Sequence, residues 1–83
     1  MSLQVDWSEP ARRDLEALPD WRLAATVDAA VDQLVHDGLG FVQHIHRSDG
    51  PDEFRLLIPR VRTYVRVRRT ATVLYVERVI YRP

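Results

Sequence analysis

From residue 53 to residue 82 the chain reads EFRLLIPRVRTYVRVRRTATVLYVERVIYR, and no other stretch restricts the fold as much. Apolar side chains alternate with arginines at a spacing of two, the period of a strand with one covered and one open face. Pro59-Arg60 and Thr70-Ala71 interrupt the run with turn chemistry, so the pattern predicts a three-stranded antiparallel meander. In its middle strand Val61, Thr63, Val65 and Val67 share one face, and Arg62, Tyr64, Arg66 and Arg68 share the other. The third run, 73–81, is almost continuously apolar except at Glu77-Arg78, which predicts a strand covered on both faces at the centre of the sheet. A bulge at Glu77-Arg78 would change the face that Arg78 and Arg82 occupy.

Upstream, Leu3-Gln4-Val5-Asp6-Trp7 alternates as a short first strand. Ser8 then stands as a helix cap, with Glu9 and Pro10 in the first turn, where an acid suits the helix dipole and a proline loses no hydrogen bond. Ala11, Leu15 and Leu18 make one apolar stripe, and Pro19 ends the helix. Asp20 caps a longer helix to about Asp37, stopped by Gly38, with Leu23, Val27, Ala30, Val31 and Leu34 as its stripe. The short break between the helices predicts an αα-hairpin. Residues 38–52 lose all periodicity and read as loop. The expected architecture is α+β in the order β-α-α-β-β-β, one antiparallel sheet with both helices on one face and residues 1–83 as a single domain. Val61, Val65, Val67, Phe54, Leu56 and Ile58 are expected to meet Leu15, Leu18, Val27, Val31 and Leu34 in the core.

Charge divides along this same boundary. Residues 1–52 carry four arginines against ten acids, and residues 53–83 carry eight arginines against two acids, so a net charge of zero covers an acidic helical part and a basic sheet part. A basic face of that kind suits a polyanion. All the basic residues are arginine, which suits bidentate phosphate contacts but also follows from a GC-rich genome. With no cysteine, disulfides and thiolate metal sites are excluded. No apolar run reaches the roughly 18–20 residues of a membrane span and no signal pattern opens the chain, so a cytoplasmic protein without a membrane role is expected.

Two smaller groups invite a metal reading. Asp28 and Asp32 lie one turn apart, as on any solvated helix face. His44 and His46 are two residues apart beside Arg47, with no third ligand evident in the sequence, so no metal and no cofactor is expected. His46 is a candidate phosphate contact or general base.

The order and spacing of these elements resemble the RelE/ParE superfamily of toxins from type II toxin–antitoxin systems. Residues 5–18 resemble the family's strand-then-helix opening. Phe54-Arg55-Leu56 is similar to its aromatic-Arg-aliphatic second strand, Arg62 to the arginine after its tight turn, and residues 76–82 to the closing strand, here ending Tyr81-Arg82. The resemblance implies one of two activities: cleavage of mRNA on the ribosome without metal, or poisoning of DNA gyrase. A silent relative that only binds a partner is the third reading, and active members are held by a cognate antitoxin. For the ribonuclease, the resemblance implies that Arg62 and Arg82 clamp the scissile phosphate. Arg55 would position the backbone, with Arg66 and Arg68 as further phosphate contacts. Tyr81 is the first candidate for proton transfer and His46 the second. Leu57 stands where the family can carry a lysine.

Overall fold

The alternation in the C-terminal third produces the sheet that the rest of the chain covers. In a computed structural model describing residues 2–83, the strands are β1 (Gln4–Trp7), β2 (Phe41–Ile45), β3 (Glu53–Ile58), β4 (Thr63–Arg69) and β5 (Val73–Tyr81), and the helices are α1 (Glu9–Glu16) and α2 (Trp21–Asp37). The sheet order is β1-β5-β4-β3-β2. Neighbours from β2 to β5 are antiparallel, and β1 runs parallel to β5. The expected α+β plan of two helices on a β-α-α-β-β-β frame therefore holds, with one strand more than expected and a mixed sheet. A parallel partner for β5 is allowed by the connection: the two helices and strands β2–β4 lie between β1 and β5, long enough for a crossover.

The extra strand, β2, comes from residues 38–52, expected to be loop. Phe41-Val42-Gln43-His44-Ile45 has no clean alternation because it is an edge strand exposed on both faces, with only Ile45 partly covered. Its pairing with β3 places Phe41 opposite Leu57 and His44 opposite Phe54. The middle position expected for residues 73–81 belongs instead to β4, while β5 lies one place from the edge. Its long apolar run fits a strand that faces α1 and α2 on one side and carries half-covered Tyr75 and Ile80 on the other.

The core joins Val27, Val31 and Val35 of α2 and Ala11 of α1 to Leu56, Val65, Val67, Leu74, Val76 and Val79 of the sheet. Leu15, Leu18, Leu34 and Val61 pack at its margin. Phe54, expected inside, remains 38% exposed because it sits at the end of β3 beside the edge strand, where it stacks on His44 with ring centroids 4.4 Å apart. The caps are those the sequence predicts. Ser8 Oγ accepts from the Ala11 N–H at 3.1 Å, Asp20 accepts from the Arg22 N–H at 2.7 Å, and Gly38 closes α2 in the left-handed region at φ 70°.

A bulge between Arg66 and Val67 on one strand and Arg78 and Val76 on the other leaves Glu77 without a partner in the register. At that point β1 has ended and the edge of β5 would lie open. Helix α1 closes it. The Ser8 N–H donates to the Val76 carbonyl at 3.0 Å, Ser8 Oγ donates to the Glu77 carbonyl at 2.9 Å, and the Val79 N–H donates to Asp14 Oδ2 at 3.0 Å. No helix of the described residues is long and apolar enough to cross a membrane.

Candidate functional site

The open face of the sheet carries three arginines in one row. Arg55 of β3 lies opposite Arg66 of β4, which lies opposite Arg78 of β5. Like charges in directly opposed positions repel, and each of these has its own carboxylate. Arg55 Nε donates to Glu53 Oε1 at 2.9 Å. Arg78 makes a forked pair with Asp14, at 2.7 and 3.0 Å. Arg66 lies 3.7 Å and Arg68 3.9 Å from opposite oxygens of Glu77. The Arg55 hydrogen bond holds the Glu53 carboxyl below its ordinary range, and the Arg78 hydrogen bond does the same for Asp14. Glu53 is 9% exposed and also receives Arg47 at 3.3 Å. The centre of the expected basic face is thus largely neutralised from within. Arg55, Arg66 and Arg68, read as phosphate contacts, each have a carboxylate partner on the protein.

Uncompensated charge collects at the end of the sheet where β3 turns into β4. Pro59–Val61 forms one turn of 3₁₀ helix, and Arg62 closes it in the left-handed region at φ 52°. Among the described residues Arg62 is the one non-glycine with positive φ. That conformation costs a residue with a Cβ about 1 kcal/mol or more and marks a position held by its surroundings. Two bonds hold it: the Arg62 N–H donates to the Pro59 carbonyl at 3.1 Å, and the Arg62 carbonyl accepts from the Arg82 N–H at 2.9 Å. The second bond fastens the two arginines singled out in the sequence to each other through the backbone. Among the described residues neither forms an ion pair.

Arg62 stands between two grooves. One, of about 330 Å³ on the open face, is lined by Leu57, Pro59, Arg62, Tyr64 and Arg82. The other, of about 560 Å³, lies towards the start of α2 and is lined by Asp20, Arg22, Thr26, Arg60, Arg62 and Tyr81. Tyr81 is opposite Thr63, and Tyr64 is opposite Ile80. Tyr81 therefore lies in a different groove from Arg82, although both share Arg62. The residue that the sequence reading passed over is Tyr64. The Arg55 guanidinium lies 4.5 Å above its ring and that of Arg82 6.0 Å away. Alternation had already set Tyr64 among the outward arginines; only the cross-strand geometry shows that two of them converge on it.

His46 is not part of this group. It lies in the β2–β3 loop, 3.4 Å from Asp52, which also meets His44 Nε2 at 2.8 Å. The third ligand missing from the sequence reading is thus Asp52, brought there by the hairpin. The His44 hydrogen bond holds its carboxyl below the ordinary range.

No protein-family model matches the chain, and no curated protein matches it. Among solved structures it is similar to the toxin–antitoxin complex RelBE2 from Mycobacterium tuberculosis, with a TM-score of 0.77 and 26% sequence identity over 99% of this chain and 100% of that one.

Proposed function

We propose, from the premise that this is a RelE-like chain of the RelE/ParE toxin superfamily, that it acts as the toxin of a type II toxin–antitoxin pair and cleaves mRNA on the ribosome. The toxin assignment and a cognate antitoxin as partner rest on the likeness to the RelBE2 complex, which is itself a toxin–antitoxin assembly. The ribonuclease reading rests on one observation: Arg62 and Arg82 are bonded through their backbones at 2.9 Å and are free of carboxylates among the described residues, while the arginines at the centre of the sheet are paired.

The chemistry such a site supports needs no metal. The 2′-hydroxyl of one nucleotide attacks the adjacent phosphorus, the bond to the 5′-oxygen of the next nucleotide breaks, and a cyclic phosphate and a 5′-hydroxyl result. Charge builds on the phosphorane oxygens, and two guanidinium forks brought to one end of the sheet by the bond between their backbones would stabilise it. Tyr64, covered by Arg55 and beside Arg82, lines the groove in which a flanking nucleotide would lie. Tyr81, in the groove across Arg62, is the candidate for moving the proton of the attacking hydroxyl. His46, at the far end of β3, is too distant from the arginine pair for that task. Arg66 and Arg68 reach a longer RNA only in competition with Glu77.

Induced expression tests this reading. The wild-type chain should arrest translation with mRNA cut at ribosome-positioned codons, and Arg62→Ala should relieve the arrest while the protein remains folded. DNA-damage signalling with intact mRNA would identify a gyrase poison instead, and unaffected growth a silent binder.

A further inference from the structure

We propose that His44, His46 and Asp52 form a binding site for one divalent transition-metal ion, of the zinc class, that staples the β2–β3 hairpin. His44 is in β2 and Asp52 immediately precedes β3, so the antiparallel pairing of Ile45 with Glu53 draws both ends of the intervening loop together. His46, one residue beyond β2, turns back over the same opening. One ligand atom from each of the three lies within 4.8 Å of the others. His44 Nε2 and His46 Nδ1 approach the same carboxylate oxygen, Asp52 Oδ2, at 2.8 and 3.4 Å. Ligand atoms about 2.0–2.1 Å from a tetrahedral ion stand a little over 3 Å apart, so small side-chain rotations convert this triangle into three corners of a coordination shell. Water would complete the fourth.

Neighbouring groups already orient the donors. The Arg47 N–H donates to Asp52 Oδ1 at 3.4 Å, leaving Oδ2 to face the imidazoles. His44 is stacked on Phe54 at an interplanar angle of 15°, which fixes the direction of its ring. The Arg47 guanidinium is directed to Asp49 and Glu53. A set of two imidazoles and one carboxylate selects Zn²⁺, Cu²⁺, Ni²⁺ or Co²⁺ over Mg²⁺ and Ca²⁺, which take oxygen shells.

Such an ion would be structural. The cluster is at the Glu53 end of β3 and the arginine pair follows its Ile58 end, roughly 17 Å apart at the rise of a strand. What the ion would secure is β2, the edge strand, whose Phe41 is 74% and Val42 45% exposed. Tying its last residues to the start of β3 would restrain the edge most open to fraying.

Zn²⁺ titrated by calorimetry into the tag-free full chain tests the proposal. One ion per chain is expected, with slower hydrogen exchange at residues 42–46, reversed by a chelator. His46→Ala and Asp52→Asn should each weaken binding by about tenfold or more. His36→Ala, which removes the separate His36–Asp32 pair on α2, should leave it unchanged. With Co²⁺, the His44 and His46 proton resonances of the unaltered protein should be shifted or broadened, a readout independent of any variant's folding. Absence of saturable binding, binding unaffected by His46→Ala, or Co²⁺ effects confined to His36 would overturn the proposal.

Discussion

Arg66 and Arg78 face each other across β4 and β5, and each is held by a carboxylate from a different part of the chain, Glu77 and Asp14. The repulsion of the row is thereby relieved, and so is part of the attraction that this face would exert on a polyanion. Glu77 is the weaker of the two restraints, half-exposed and 3.7–3.9 Å from its arginines. Glu77→Gln should therefore cost at most about 1 kcal/mol of stability. Affinity for single-stranded RNA should rise, with a salt dependence steeper by roughly one phosphate contact. Fluorescence anisotropy over a series of salt concentrations measures both. An unchanged salt slope would mean that Arg66 and Arg68 take no part in RNA contact.

Asp14 does different work, since it receives a backbone N–H as well as a guanidinium. Asp14→Ala leaves the Val79 N–H without its partner beside the bulge and should cost about 1–3 kcal/mol, a fall of roughly 4–8 °C in Tm for each kcal/mol. Asp14→Asn keeps an oxygen acceptor and should lose less. The Arg78 hydrogen bond, then that from Val79, lowers the folded pKa of Asp14 below its ordinary 3.8. Its contribution is thus fully present above that value and disappears as pH falls through the folded pKa. Thermal melts of wild type and Asp14→Asn should accordingly converge at acidic pH and separate above about pH 4.

The meander was legible because its alternation reports burial directly: Val65 and Val67 went inside and Arg66 and Arg68 outside, as their spacing demands. The caps at Ser8 and Asp20 were legible for a similar local reason. β2 was not, since an edge strand exposed on both faces leaves no hydrophobic period to read. For the candidate site, the arginines themselves could be named from the sequence, but their state could not. Whether Arg55 is paired and Arg62 free depends on Glu53 sharing its face and on a left-handed turn at residue 62. Asp52 joining His44 and His46 depends likewise on a hairpin register that no local pattern reveals.

Gly40 tests the joint between α2 and that edge strand. Its φ of 148° suits glycine, and a Cβ placed there would come within 2.8 Å of Leu56 Cδ1, in the fully buried centre of the core. Gly40→Ala should destabilise by about 1–3 kcal/mol through strain and displacement of Leu56. Hydrogen exchange should quicken first in β2. Gly38→Ala offers a contrast, since its φ of 70° is strained but its Cβ position is open. Its cost should be confined to the backbone, about 1 kcal/mol.

Arg62 permits the sharpest separation of fold from function, because its side chain and its backbone make opposite demands. The left-handed conformation at φ 52° favours glycine over arginine, while the proposed phosphate clamp needs the guanidinium. Arg62→Gly should therefore leave Tm within a few degrees of wild type, the relief of backbone strain offsetting the extra chain entropy of glycine. The hydrogen bond from the Arg82 N–H to the residue 62 carbonyl should survive, visible as unchanged amide protection at Arg82. RNA cleavage and growth arrest should nevertheless fall by two orders of magnitude or so, the usual scale for one lost charge-stabilising donor. Arg62→Lys should recover only part of the activity, since an ammonium supplies charge without the fork. Full activity in a folded Arg62→Gly protein would remove Arg62 from the clamp and leave Arg82, with Arg60 and Arg22 in the neighbouring groove, as the cations to examine.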